Sequence, residues 1–302
     1  MNFQDKSAFI SIVGRTNAGK SSLLNRMLGQ KIAIVSDKPQ TTRTRIMGVL
    51  TECEHQLVFT DTPGMHKPKT SLGNYMVRSV KESVSSADAC LLVVEAGREP
   101  DETETLLIKR ITEMGIPAIL AINKTDLLKQ KEELMHLILT YSAMFDFEAI
   151  VPISARTGDG VPALIEELKK LTAEGGHFFE EDTLTDQSER VLASEMIREK
   201  LLRNLDKEIP HGTAVIVERM KQRESGILDI DATIYCERDS HKGIIIGKGG
   251  KMLKKVSTTA REDMERFFDC KVNLQTWVKV REDWRNREGI MRSLGFSEKD
   301  FE

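Results

Sequence analysis

Through the first 170 residues, short unbroken apolar runs alternate with stretches whose apolar positions recur every three or four residues. The runs Phe9–Val13, Leu57–Thr60, Cys90–Val94, Ala118–Ile122 and Ile150–Pro152 predict buried strands. Helical patterns fill the intervals at about 20–28, 71–85, 101–113, 130–142 and 161–171. Strands separated by helices imply βαβ units and a mostly parallel, doubly wound sheet covered on both faces. Thr44–Thr51 predicts one antiparallel strand beside Leu57–Thr60, joined by the turn at 52–56. An α/β domain over residues 1–172 follows.

The stretch 173–187 carries Gly175-Gly176 and several acids without periodicity, and reads as a linker. Residues 188–302 follow a different order. An amphipathic helix is predicted over Ser188–Leu205, then strands at Ala214–Met220 and Leu228–Tyr235. The apolar segment His241–Ile246, the loop GKGG at 247–250, a basic helix over Lys251–Phe268 and a strand at Val272–Val280 complete it. The second domain is therefore α+β, in the order α-β-β-α-α-β.

Composition narrows the class. With 40% hydrophobic and 30% charged residues, the chain has the balance of a globular protein. No apolar run approaches the 18 or so residues that a membrane-crossing helix needs. The opening MNFQDKSAFI lacks a basic-then-apolar leader pattern, so a cytoplasmic location is expected. Cys53, Cys90, Cys236 and Cys270 are scattered without a CxxC pair, which predicts buried free thiols rather than a zinc site or disulfides. The net charge of −3 is unevenly spread: residues 240–281 hold 10 basic and 4 acidic side chains, a candidate footprint for nucleic acid.

Candidate chemistry is concentrated at the ends of the predicted strands. GRTNAGKS, from Gly14 through Arg15, Thr16, Asn17, Ala18, Gly19 and Lys20 to Ser21, fits GxxxxGK[ST] between a strand and a helix. Its glycines let backbone N–H groups, with those of Ser21 and Ser22 opening the helix, surround a phosphate. Lys20 is expected to reach the β- and γ-phosphates, and the Ser21 hydroxyl to ligate Mg²⁺. Asp61, Thr62, Pro63 and Gly64 follow a second strand; Asp61 is the candidate for holding Mg²⁺, and Gly64 can offer its N–H to the γ-phosphate.

Asn123, Lys124, Thr125 and Asp126 follow a third strand and point to guanine. A carboxylate there accepts two hydrogen bonds, from N1–H and the exocyclic amine, which adenine does not offer together. A site left with an unpaired buried carboxylate rejects the wrong base by a factor on the order of 10⁴. Ser154 and Ala155, after the strand at 150–152, would set the Ala155 N–H near guanine O6. All these loops fall at the carboxyl ends of parallel strands, where doubly wound sheets bind nucleotides. This part resembles the translation-factor-type P-loop GTPases, with GTP and GDP as ligands.

PQTTRTR at 39–45 supplies the expected switch loop, with Thr42 preferred to Thr41 for closing over the γ-phosphate and Mg²⁺. Lys20, Thr42 and Gly64 are thus the candidates for catalysis. After the DxxG glycine, where Ras-type enzymes orient water with Gln, stands Met65, whose thioether cannot do so. Asn17 has two readings. GTPases that resemble this chain in carrying Asn there often add a K⁺ ion; alternatively, Asn simply suits a left-handed loop position.

In the second domain, Ile244, Ile245, Ile246, Gly247, Lys248, Gly249, Gly250, Lys251 and Lys254 form the candidate RNA site. A GxxG loop between an apolar and a basic helix clamps backbone phosphates in KH modules. The isoleucines suit either the core or exposed bases. Trp277, Trp284, Arg281, Arg285, Arg287 and Arg292 add candidate stacking or phosphate contacts, with core packing of Trp277 equally open.

The combination resembles the Era family of bacterial GTPases with a type II KH domain. PQTTR, DTPG and NKTD carry the likeness in the first domain; IREKLL, WVKV and RSLGF carry it in the second. That resemblance implies a monomer that binds the 3′ end of 16S ribosomal RNA, acts in small ribosomal subunit biogenesis, and associates peripherally with the membrane. GRTNAGKS departs from the family's common GRPNVGKS; the missing proline bears on loop rigidity and removes no ligand. Three functional readings stand at this point: hydrolysis that times RNA release, a nucleotide-controlled RNA-binding module, and a membrane-linked switch.

Overall fold

Strand β4 (Ala89–Glu95) is buried along nearly its whole length, as an all-apolar strand must be when helices cover both faces of its sheet. The computed structural model describes residues 5–64 and 70–296. They fall into two compact units: one runs to Asp186, and the other runs from Gln187 and also takes in Ile34–Thr41 and residues 70–74.

In the first unit, β1 (Lys6–Val13) lies between β3 (His55–Asp61) and β4, both parallel to it. β5 (Ala118–Asn123) and β6 (Ala149–Pro152) extend the sheet in parallel, and β2 (Ile46–Glu52) closes the other edge antiparallel to β3. The strand order β2-β3-β1-β4-β5-β6 reverses direction at β1, so the loops after β1 and β4 open a crevice at the carboxyl edge. Helices α1 (Lys20–Leu28), α2 (Ser71–Ser85), α3 (Glu102–Met114), α4 (Lys131–Met144) and α5 (Val161–Lys169) complete the α/β pattern.

The predicted linker is tied down rather than loose. Ala173–Glu174 forms a short strand, β7, antiparallel to the start of β1. Gln56 then accepts from the N–H groups of Phe178 and Phe179, and the Val49 N–H donates to Leu184 O at 2.9 Å. β1 begins before β4 reaches it, so its first residues have an open edge that would otherwise leave backbone groups unpaired.

The second unit has the expected α-β-β-α-α-β order. Helix α6 (Glu189–Asn204) precedes β8 (Ala214–Gln222) and β9 (Leu228–Cys236); α7 (Asp239–Ile246), α8 (Lys251–Phe268) and β10 (Val272–Val280) follow. β9 is central, antiparallel to β8 and parallel to β10. One sheet face is apolar: Ile230, Ala232 and Ile234 meet Ile197 and Leu201 of α6 and Val256, Ala260 and Met264 of α8. Segment 34–41 lies along α6, where the Val35 N–H donates to the buried Glu199 and its carbonyl accepts from Arg203.

The structure changes expectations for Trp284 and for the cysteines. Trp284 is fully buried, donates its indole N–H to Gly212 O at 2.9 Å and stacks on Phe296. Arg285 pairs with Glu237 at 2.7 Å. The buried indole therefore offers no face to a base; the tail's short helix α9 (Glu288–Ser293) follows, with Met291 buried. Trp277, by contrast, is 44% exposed on the outer sheet face. All four cysteines are free, but Cys53 is exposed and Cys270 only half-buried, because Cys53 sits in the β2–β3 turn.

Candidate functional site

The phosphate loop connects β1 to α1. Gly14 has φ +152, and a Cβ there would lie 2.2 Å from Val93 O, so only glycine allows the loop to pass β4. Gly19, at φ +98, caps α1 and would meet the Asn123 side chain with any Cβ. Asn17 stands at φ 65, in the left-handed region that Asn tolerates. Lys20 is buried, and its ammonium donates to Gly14 O at 3.1 Å and Arg15 O at 3.0 Å. Burial lowers its pKa to about 8, against the opposing pull of Asp61.

The first turn of α1, the switch loop and the end of β3 converge on the candidate Mg²⁺ position. Ser21 Oγ donates to Asp61 Oδ2 at 2.6 Å and lies 2.9 Å from Thr42 Oγ1, which is itself 3.5 Å from the same carboxylate oxygen. Thr41 is directed elsewhere, with its hydroxyl on Lys38 O. Asp61 Oδ1 is buried and has no hydrogen-bond partner among the described residues. Burial raises the Asp61 pKa to about 6, with Lys20 and the two hydroxyls pulling it back. One orphaned carboxylate oxygen beside two hydroxyls is a hard-oxygen donor set of the kind Mg²⁺ accepts with phosphate and water. The residues present therefore fit that ion.

Gly64 lies against the phosphate loop, where an added Cβ would come 2.6 Å from Thr16 Cα. Thr62 anchors the turn through Ile12 O. Met65 lies outside the described residues.

At the base end, Asn123 donates to Ala18 O at 2.8 Å and accepts from the Ala155 N–H at 3.0 Å. The amide thus links phosphate loop and base loop, and the Ala155 N–H expected for guanine O6 already has an acceptor. Thr125 ties the same two strand ends together through Ile153 O. Lys124, at φ 66, extends to Glu95 at 3.0 Å. The Asp126 carboxylate accepts from Ser154 Oγ at 2.6 Å and faces Arg156 Nη2 at 2.6 Å. Arg26 of α1 donates to the carbonyls of Ala155 and Arg156. Neither Arg26 nor Arg156 is legible as a site residue in sequence, since each works through loop carbonyls or an exposed pair.

In the second unit, Gly247 ends α7 with φ 73 and ψ 170, and a Cβ there would press on Met252 at 2.7 Å. Gly249 and Gly250 also take positive φ, turning the chain directly into α8. Lys248, Lys251 and Lys254 are exposed around this turn, as is Ile244. Ile245 is fully buried in the core and Ile246 packs against it, so of the three isoleucines Ile244 alone is presented outward. The α7 helical period, with Ile245 facing the sheet, accounts for the division.

The family model for 50S ribosome-binding GTPases matches residues 9–124, and that for the KH domain matches residues 208–285. The GTPase Era of Ruminiclostridium cellulolyticum is 51% identical over 291 residues, covering 96% of this chain and 97% of that protein. The chain belongs to the Era family of GTPases. Era of Clostridioides difficile is 48% identical over 97% of the chain and 99% of its own length. Two solved Era structures align with TM-score 0.93 at 36% identity, each over 97% of this chain and 99% of its own. One is an Aquifex aeolicus Era variant bound to GDP.AlF4-; the other holds MgGDPNP and nucleotides 1506-1542 of 16S ribosomal RNA. The Era fold, a P-loop GTPase domain followed by a KH domain, is thus that of this chain.

Proposed function

We propose that this protein hydrolyses GTP with Mg²⁺ and uses its KH domain to hold the 3′ end of 16S ribosomal RNA during small ribosomal subunit biogenesis. The observation that carries the first part is the Ser21–Thr42–Asp61 cluster around an orphaned carboxylate oxygen. Asp61, Ser21 and Thr42 would hold the ion, which supplies charge neutralisation between the β- and γ-phosphates. Lys20 binds the same phosphates, Gly64 allows its loop to approach them, and Asp126 reads the base. Thr42 joins the cluster from the switch loop, so loss of the γ-phosphate withdraws a reason for that loop to stay closed.

The RNA reading rests on the GxxG turn and its exposed lysines, and on the likeness to the Era solved with 16S rRNA. A cytoplasmic location is proposed, with peripheral membrane contact proposed from the family alone. Among the described residues, no helix is long and apolar enough to cross a membrane. A K⁺ ion beside Asn17 is proposed as the added positive charge that hydrolysis without a glutamine requires; the left-handed φ of Asn17 supports the backbone reading equally.

The test is phosphate release from GTP with and without Mg²⁺, followed by crosslinking to RNA in cells and sequencing of the attached fragments. Recovery of 16S 3′-end sequence is the expected result. Recovery of unrelated RNA would remove the ribosomal assignment while leaving the GTPase intact.

A further inference from the structure

The second residue of the phosphate loop has a side chain to which the site chemistry assigns no task. The Arg15 guanidinium reaches the start of α3, where Nη1 donates to Asp101 Oδ2 at 2.9 Å and Nε lies 3.6 Å from Glu104 Oε1. Glu104 is 1% exposed, and its other oxygen accepts from Tyr141 Oη of α4 at 3.1 Å and from the Asp101 N–H. Asp101 Oδ1 in turn caps the N–H groups of Thr103 and Glu104. A largely buried guanidinium is thus fixed to the start of α3, where Tyr141 of α4 braces Glu104. Breaking such a pair leaves an uncompensated charge.

The main chain of the same residue performs a second task. Its carbonyl, with that of Gly14, accepts the Lys20 ammonium. An ammonium has three donors on a flexible stem. Two of them held by fixed carbonyls leave the third with one direction, which is preorganisation of the kind that stabilises charge as it develops. We propose that Arg15 is a positioning residue: anchored through Asp101 and Glu104, it fixes the loop carbonyl that aims Lys20 at the phosphates. The inference rests on the reading of this site as a GTP-hydrolysing one.

The experiment measures kcat and KM for GTP on the full chain, for the wild type and for Arg15→Ala, Arg15→Lys, Asp101→Asn and the double variant Arg15→Ala with Asp101→Asn. Hydrolysis by the wild type establishes the underlying reading; its absence would remove that reading before this one is tested. Misplacement of a reacting group by an ångström costs on the order of 100-fold, and a partial shift on the order of tenfold. The expected result for Arg15→Ala is therefore a kcat lowered about tenfold with KM within about twofold, because contacts common to substrate and transition state are kept. Arg15→Lys, still able to pair with Asp101, should recover most of that loss. The double variant should lose no more than Arg15→Ala alone, since both changes cut one link. If Arg15→Ala does not fold, Asp101→Asn is read alone: it keeps the helix cap and removes the charge. A folded Arg15→Ala (or, failing that, Asp101→Asn) with wild-type kcat overturns the proposal, as does a loss that Arg15→Lys fails to relieve.

Discussion

Ser21 Oγ donates a hydrogen bond to one oxygen of Asp61 at 2.6 Å, and the other carboxylate oxygen is buried with no hydrogen bond among the described residues. A buried unsatisfied acceptor costs about 1–3 kcal/mol, more when charged, so the arrangement is expensive unless a cation shares it. Asp61→Asn should preserve the shape and remove the charge. Phosphate release should fall about 100-fold, and the Mg²⁺ concentration giving half the maximal rate should rise, because one of few charged oxygen ligands is lost. A titration across Mg²⁺ concentrations checks both; an unchanged midpoint would place the ion elsewhere.

Base selection should reside in Asp126. Asp126→Asn replaces an acceptor pair by an amide that suits the 2-oxo group of xanthine. Preference is expected to move from GTP toward XTP by at least tenfold, as losing or gaining a buried hydrogen bond to a charged group amounts to about 1.5–3 kcal/mol. Competition between the two nucleotides measures it; a wild-type margin in the variant would refute the assignment.

Potassium separates the two roles of Asn17. If Asn17 holds the ion, wild-type turnover is faster in K⁺ than in Na⁺ at equal ionic strength, and Asn17→Ala abolishes the difference. If its left-handed φ of 65 is the whole reason for Asn, Asn17→Gly keeps the wild-type rate in both salts.

The RNA clamp can be removed without touching the nucleotide site. Lys248→Asp with Gly249→Asp puts carboxylates where phosphates would lie, and also forces a side chain onto the φ +60 of Gly249. Affinity for a single-stranded 16S 3′-end oligonucleotide should fall, and the salt slope should flatten by about 0.7 for each lost phosphate contact. GTP affinity, measured on the same preparation, should stay as in the wild type.

Trp284→Ala should act as a core mutation and not as an RNA mutation. It removes a fully buried ring and the hydrogen bond to Gly212. About 3–5 kcal/mol of stability should be lost, visible as a lower urea midpoint for the second unit. RNA affinity of the folded fraction should hold.

The contrast between Trp284 and Gly14 shows what the sequence makes legible. Gly14, Gly19, Lys20 and Asp61 are readable because their motifs encode a backbone path and a local ligand set between a strand and a helix. Trp284 follows a strand, among arginines, with no periodicity to say which way it faces. Its burial depends on Gly212, about 70 residues earlier in the chain. Ile245 shows the intermediate case: the apolar run is visible, but the helical phase that sends it inward is set by the sheet. The helix at about 101–113 is legible from its period, but the capping box of Asp101 and Glu104 emerges only in the structure, and their second partner, Arg15, lies across the fold. Segment 173–187 has the composition of a linker because its pairing is made by backbone atoms on the edge of β1 and β2, which composition does not record.

The double engagement of Asn123 also bears on how this pocket can diverge. One nitrogen donates to Ala18 O at 2.8 Å while the oxygen accepts from Ala155, so the amide's polarity is fixed at both ends. A carboxylate in its place would set oxygen against oxygen at Ala18; an aliphatic side chain would leave both backbone groups unanswered. Substitution at this one position therefore degrades the grip on every nucleotide, whatever its base. The phosphate loop and the base loop are thus clasped by one amide, and a change there is felt in both halves of the pocket at once.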